Sequence, residues 1–381
     1  MTKWARSLVL YLIASLALPA QGQDRIQNLQ NAAVLIDRND FAAAEAELEI
    51  LLKEQPDDAV ALNLLGVIRM RQKNFPEAEN LFKRAIGTGR PLLGPHMNLA
   101  VLYGSARPLD ALSELEECLI IAPDNQRAKT LIRSIAKEAA LQDMRAGEKD
   151  KAIAIMLKAR AAMPDDPEVL YELGLVSLDS GFYADAQKCF ERVLQIRPGN
   201  NEARYGLARA YLNENLAEQA EHAMRQYLTA KPDDASAQYG LGYILVAEQK
   251  LDEARAAFEK SLALQPGQTE SLFQLGEIDV EQGQTGRARD RFAQVLARDP
   301  HHAGALTEIG IMAFRASDYS KAKNDLEQAV AAAPSYQKAH YFYALTLAKM
   351  GDKEQANREF DISAQLQKKH ITNVRLDLPQ Q

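Results

Sequence analysis

Prolines recur at positions 164, 198, 232, 266, 300 and 334, one every 34 residues without a gap. Pro cannot continue a helical hydrogen-bond ladder, so these evenly spaced stops cut the chain into segments of equal length. Two further series keep the same step. Small residues stand at Ala140, Gly174, Ala208, Gly242, Gly276, Gly310 and Ala344, and again at Ala152, Ala186, Ala220, Ala254, Ala288, Ala322 and Ala356. Four residues after each member of the second set comes a bulky apolar side chain: Met156, Phe190, Met224, Phe258, Phe292, Leu326 and Phe360. A period of this size marks a repeat architecture, in which one supersecondary unit stacks on its neighbours.

The spacing inside one period predicts two helices. Leu170, Leu173, Val176 and Leu178 fall at helical intervals within a first helix over Glu168 to Ser180. Gly181 follows where a helix stops, because Gly accepts the left-handed conformation of a C-terminal cap, and Gly147, Gly283 and Gly351 hold the same place in their units. A second helix over Ala184 to Arg197 ends at Pro198. Gly174 and Ala186 allow the two backbones to approach, while Phe190 fills space toward the next hairpin. One hairpin cannot bury both of its faces, so neighbours stack into a continuous core. With 47% hydrophobic but only 7% aromatic residues, the composition suits close-packed helices.

The pattern Leu170, Leu173-Gly174, Ala186, Phe190, Pro198, repeated as Leu241-Gly242, Ala254, Phe258, Pro266, resembles the tetratricopeptide (TPR) repeat family. The resemblance covers nearly all of the chain after its first two dozen residues. It implies an all-α fold, a right-handed α-solenoid of stacked antiparallel hairpins, with about ten repeats. Repeats 4–10 occupy residues 126–370 in strict period. Repeats 1–3 occupy residues 23–125 and are worn: Leu65-Gly66, Ala78 and Phe82 mark one, and Leu99-Ala100, Ala111 and Pro123 another. The earliest has Ala44, Leu48 and Pro56 after a first helix expected at Ile26–Asp37. From Ala100 to Ala140 the interval is 40 residues. The surplus predicts a lengthened first helix starting near Gln126, and with it the one expected boundary. Residues 371–381 read as a loose C-terminal tail.

Residues 1–22 read as a signal peptide. Lys3 and Arg6 precede an apolar run from Ser7 to Leu18, and Ala20 and Gly22 give the small-x-small arrangement of a cleavage site. The run is too short to span a bilayer, which takes about 20 apolar residues. The expectation is a periplasmic or secreted protein with no integral membrane span after cleavage. The alternative is anchorage by an uncleaved N-terminus.

In the resembled family the first helices line a concave groove, which implies candidate groove residues at Tyr171, Tyr205, Tyr239 and Phe273. Thr307 and Tyr341 continue that series. One turn later come Leu175, Arg209, Tyr243, Glu277 and Ile311, of which Arg209 and Tyr243 complete the candidate set. Tyr and Arg are frequent anchors of protein interfaces, and such a groove takes an extended peptide or a partner helix. A purely structural ladder of Tyr side chains packing on the next repeat is the competing account. The Lys and Asn clamp with which some chaperone co-factors of this family hold a C-terminal carboxylate is missing at Leu175, Arg209, Tyr243 and Glu277.

Nothing in the sequence points to chemistry. The formal net charge of −7 gives no footprint for nucleic acid. No H-E-x-x-H, phosphate loop, dinucleotide fingerprint or G-x-S-x-G is present, and no cofactor or metal is expected. His301-His302 reads as a pair of solvated turn residues. Asp165-Asp166 and Asp233-Asp234 read as helix-start residues. Cys118 and Cys189 lie two repeats apart, too far for a disulfide, and read as packing residues. The expected function is a scaffold that binds a protein partner. The alternatives are an accessory subunit of an envelope machine for polysaccharide or outer-membrane export, and an enzyme with an unrecognised site.

Overall fold

The computed structural model describes residues 20–376, with side chains from Asp24 to Lys368. The expected signal peptide up to Pro19 lies outside the described residues. Twenty α-helices follow one another, with no strand among the described residues. They pair in tandem: α1 (Ala20–Asp37) with α2 (Phe41–Glu54), α3 (Ala59–Arg71) with α4 (Phe75–Gly87), and α5 (Leu93–Tyr103) with α6 (Pro108–Ile121). Then come α7 (Gln126–Arg145) with α8 (Lys149–Ala162) and α9 (Pro167–Ser180) with α10 (Tyr183–Ile196). Helices α11 (Asn201–Asn213) and α12 (Ala217–Ala230) continue the order. The last pairs are α13 (Ala235–Ala247) with α14 (Leu251–Leu264), α15 (Thr269–Glu281) with α16 (Thr285–Arg298), α17 (Ala303–Arg315) with α18 (Tyr319–Ala332), and α19 (Gln337–Met350) with α20 (Lys353–Leu376).

The helices divide into two compact units, residues up to Ala210 and residues from Tyr211. The division falls inside α11 and not at Gln126, where the period breaks. The break is a lengthening within continuous packing: α7 has 20 residues where α9 to α18 have 13 or 14. Its buried Ile132, Ile135, Ala136 and Ala140 share one core with Leu112 of α6 and Val169 of α9. At the other end α20 continues past His370 to Leu376, six residues into the expected tail. No Gly or Pro interrupts the chain from Lys353 to Leu376, so nothing stops the helix at His370. Residues 377–381 lie outside the described residues.

Several hairpins are locked by a ring over a glycine. A Cβ on Gly174 would stand 2.7 Å from Phe190 Cε1, and one on Gly206 of α11 would stand 2.6 Å from Cζ of the same ring. Phe190 therefore fills a slot between its own first helix and that of the next hairpin. Gly66 with Phe82, Gly242 with Phe258, and Gly276 with Phe292 repeat the close contact within the hairpin, at 2.5, 2.6 and 2.5 Å. These four rings are fully buried. Turns inside the hairpins pass through left-handed residues, at Gly147 (φ 79°), Gly181 (φ 90°), Gly283 (φ 72°) and Gly351 (φ 90°). Elsewhere the same turn holds Asn39, Lys73, Asn215, Gln249 and Ser317 at φ between 58° and 63°. First helices of successive hairpins also pack directly on each other, α1 on α3, α3 on α5 and α7 on α9 in the first unit, α17 on α19 in the second. Among second helices, packing of this extent occurs for α6 with α8. Direct packing of first helices thus recurs in the first unit and joins α17 to α19 in the second.

Candidate partner-binding face

Within the first unit, Tyr171 and Tyr205 are half-buried on α9 and α11. The Tyr171 ring tilts against Phe190 at 5.9 Å between centroids, and burial pushes its phenol above the ordinary range. Arg209 is exposed, with 45% of its side chain in solvent, and its guanidinium lies 3.5 Å from Asp179. Such an exposed pair is weak.

Within the second unit, Tyr239 leans on Phe258 at 5.6 Å between centroids and is half-buried, its phenol also pushed up by burial. Tyr243, one turn on, is 48% exposed. Tyr341 on α19, at the register of Tyr239, is 42% exposed. Phe273 departs from the series. It is only 9% exposed, tilted on Phe292 at 5.6 Å and on His302 at 4.8 Å, with Gly304 against its far edge. Its 34-residue spacing is that of its neighbours, but His302 and the side-chain-free Gly304 close over it, and it serves the core.

His302 is correspondingly no solvated turn residue. Its Nδ1 accepts the amide of Ala305 and caps α17 at 3.0 Å, while Nε2 faces Glu270 at 3.3 Å. An accepting Nδ1 places the ring proton on Nε2, directed at that carboxylate. His301 is exposed. Asp166 and Asp234 are helix caps as expected, accepting amides of α9 and α13 at 2.9 to 3.1 Å. Cys118 and Cys189 are buried free thiols, pushed up to about 12 and about 11 chiefly by burial, which suits packing and not nucleophilic work. Among the described residues no group of His, Cys, Asp and Glu is placed to hold a metal ion.

Three charged features carry no obvious mark in the sequence. Asp279 is fully buried between Arg255 (2.7 Å) and Arg291 (2.6 Å), joining α14, α15 and α16. At its register the flanking hairpins have Leu245 and Ala313, so the ion triad replaces an apolar contact. On α17, Glu308 is 4% exposed and pairs with Lys338 of α19. Glu277 on α15 is half-buried, with no hydrogen bond or ion pair among the described residues. Burial first, then the neighbouring Glu308, push its carboxyl up to about 7 against the opposing pull of Lys338.

Tandem helical hairpins with aromatic and charged side chains on their first helices define a protein-interaction scaffold. Comparison with known proteins names the repeat. Residues 29–91, 171–234 and 307–363 match the tetratricopeptide repeat model, and residues 208–326 match the model of the cytochrome c-type biogenesis protein H TPR domain. The chain carries tetratricopeptide repeats.

Among solved structures it is similar to MamA from Desulfovibrio magneticus RS-1, with 23% identity, covering 45% of this chain and 97% of that one, TM-score 0.42. A tetratricopeptide repeat protein from Parabacteroides merdae ATCC 43184 is 19% identical, covering 73% and 94%, TM-score 0.37. A thermophilic TPR protein of Thermus thermophilus is 21% identical, covering 45% and 94%, TM-score 0.38. Protein adenylyltransferase fic-1 of Caenorhabditis briggsae is 34% identical over 78 residues, 20% of this chain. The match spans only 15% of that protein's length.

Proposed function

We propose that this chain is an exported scaffold that holds a peptide or a partner helix against its first-helix face, and that it catalyses nothing. The observation that carries the reading is the exposure of Tyr243 beside half-buried Tyr239 on α13. A large aromatic left 48% in solvent, one helical turn from a ring already packed on Phe258, is a candidate anchor. Arg209 supplies a comparable exposed group in the first unit. A photo-crosslinking side chain in place of Tyr243 should capture a partner, while one in place of exposed Ile196 on α10 should not. Equal capture from both sites would sink the reading. The pair Tyr239→Ala and Tyr243→Ala should lower partner affinity at least about tenfold.

The place of action rests on the leader alone: a charged start, an apolar run and Ala20-Gln21-Gly22. No helix among the described residues is long and apolar enough to cross a membrane. Trp4 is the only Trp, so the processed exported protein should lack tryptophan fluorescence, and a fluorescent product would mean that the leader is retained. A second reading, an accessory subunit of a larger machine, takes support from the match of residues 208–326 to a domain of a cytochrome c-type biogenesis protein. Co-purification of the chain in a stable multi-protein assembly would favour it over a free scaffold.

A further inference from the structure

Three consecutive first helices of the second unit bring charge to one place. Lys338, at the second position of α19, pairs with Glu308 at the sixth position of α17. Glu277 comes from the ninth position of α15, and Tyr336, the cap residue of α19, borders the group. The four sense one another: the phenol of Tyr336 is pushed up by its own burial and by Glu277 and Glu308, and Lys338 is held above its ordinary range by Glu308 and Glu277 despite burial. Two carboxylates thus share one ammonium. Glu308, nearly sealed from solvent, takes it, and the half-buried Glu277 is left without a counter-charge.

Resting on the groove reading above, we propose that Glu277 is a subsite for a cationic side chain, Lys or Arg, of the segment bound along the second unit. The charge balance argues for this occupant. An ionised Glu277 beside Glu308 is disfavoured by desolvation and by like charge, and a cation laid against it relieves both. The register argues for it as well. Glu277 stands 34 residues after the exposed Tyr243, at the same position of the next first helix. A segment that rests an apolar side chain on Tyr243 and continues along the first helices therefore meets Glu277 at the next one.

Binding is then linked to pH through this carboxyl, which ionises near 7. Lys338 and Glu281 also act on it electrostatically, and it acts in turn on Tyr336. Lys338 and Tyr336 lie above their ordinary ranges and keep their charge state from pH 6 to 8. A cation needs the ionised carboxylate, so affinity falls as the pH drops through 7, about tenfold between pH 8 and pH 6.

The test is a displayed library of random peptides panned on the full chain, followed by titration of the selected synthetic peptides. Selected peptides should carry Lys or Arg together with an apolar residue. They should bind Glu277→Gln about tenfold more weakly and lose their pH dependence on that variant. Lys338→Gln, which removes the competing ammonium, should move the pH midpoint upward, and it keeps the test open should Glu277→Gln misfold. Peptides that depend on Tyr243 yet show no basic preference and ignore Glu277→Gln would overturn the cation subsite while leaving the groove reading intact. Peptides indifferent to Tyr243→Ala, or no selection at all, would overturn the groove reading and this inference with it.

Discussion

A single missing methyl group sets the spacing within these hairpins. Gly242 lies so close to Phe258 that any Cβ would fall 2.6 Å from the ring, and the ring is fully buried with no room to retreat. Gly242→Leu should therefore cost about 1–3 kcal/mol through overpacking, read as a lower denaturant midpoint; an unchanged midpoint would contradict the slot. The sequence carries part of this pairing. Gly174, Gly242 and Gly276 each face a Phe and Gly310 faces Leu326, while Ala140 and Ala208 are matched in sequence to the more pliable Met156 and Met224, and Ala344 to Phe360. Other features were hidden because periodicity reports position and not surroundings. Phe273 shares its register with Tyr239 and Tyr341, yet it is sealed by His302 and Gly304, residues of the next hairpin. Glu277, Glu308 and Lys338 occupy three different registers, so no repeat alignment sets them side by side.

Helix ends show where local sequence decides and where the neighbours do. Asp166 caps α9 and also receives Arg133 of α7 in a 2.5 Å ion pair. Burial pushes its carboxyl up, but the Arg133 hydrogen bond and the capping amides prevail and hold it below the ordinary Asp range. A depressed folded pKa means stability that is present above the unfolded value of about 3.9 and is lost as pH falls through the folded one. Hydrogen exchange should show the first turn of α9 losing protection in that acid window. Asp166→Ala should cost about 1 kcal/mol at neutral pH, and Asp166→Asn, which still caps, less. The turns within hairpins make a complementary case. Lys73, Gln249 and Ser317 adopt left-handed φ near 60° where other hairpins use Gly, a conformation that costs an L-residue about 1 kcal/mol. Gln249→Gly and Ser317→Gly should each raise stability by about 0.5–1 kcal/mol, measured by denaturant unfolding, whereas Gly181→Ala at φ 90° should lower it. The four glycine turns could be read from sequence. The strained ones could not, since the chain conformation there is imposed by two helices that must pack.

Stacked hairpins touch only their neighbours, and this limits how far any lesion travels. The 34-residue period already implied such nearest-neighbour construction, and it also foretold the lengthened α7; it gave no sign that the compact units divide within α11. That division reflects how the helices lie against one another, which no single register encodes. Local construction predicts a local response. In the second unit, α15 packs on α14 and α16, and α16 on α17. Gly276→Leu, pressed against Phe292 at 2.5 Å, should open α15 and α16 first. Amide exchange should then accelerate across residues 269–298, rise less in α14 and α17, and stay unchanged in α3 to α6. A uniform loss of protection from α3 to α19 would show instead that the chain unfolds as one cooperative body. The distinction bears on function, because a binding face assembled from weakly coupled hairpins can be ordered segment by segment by the chain it holds. The protection gained by α13 to α19 on adding a selected peptide would then report how many hairpins that peptide spans.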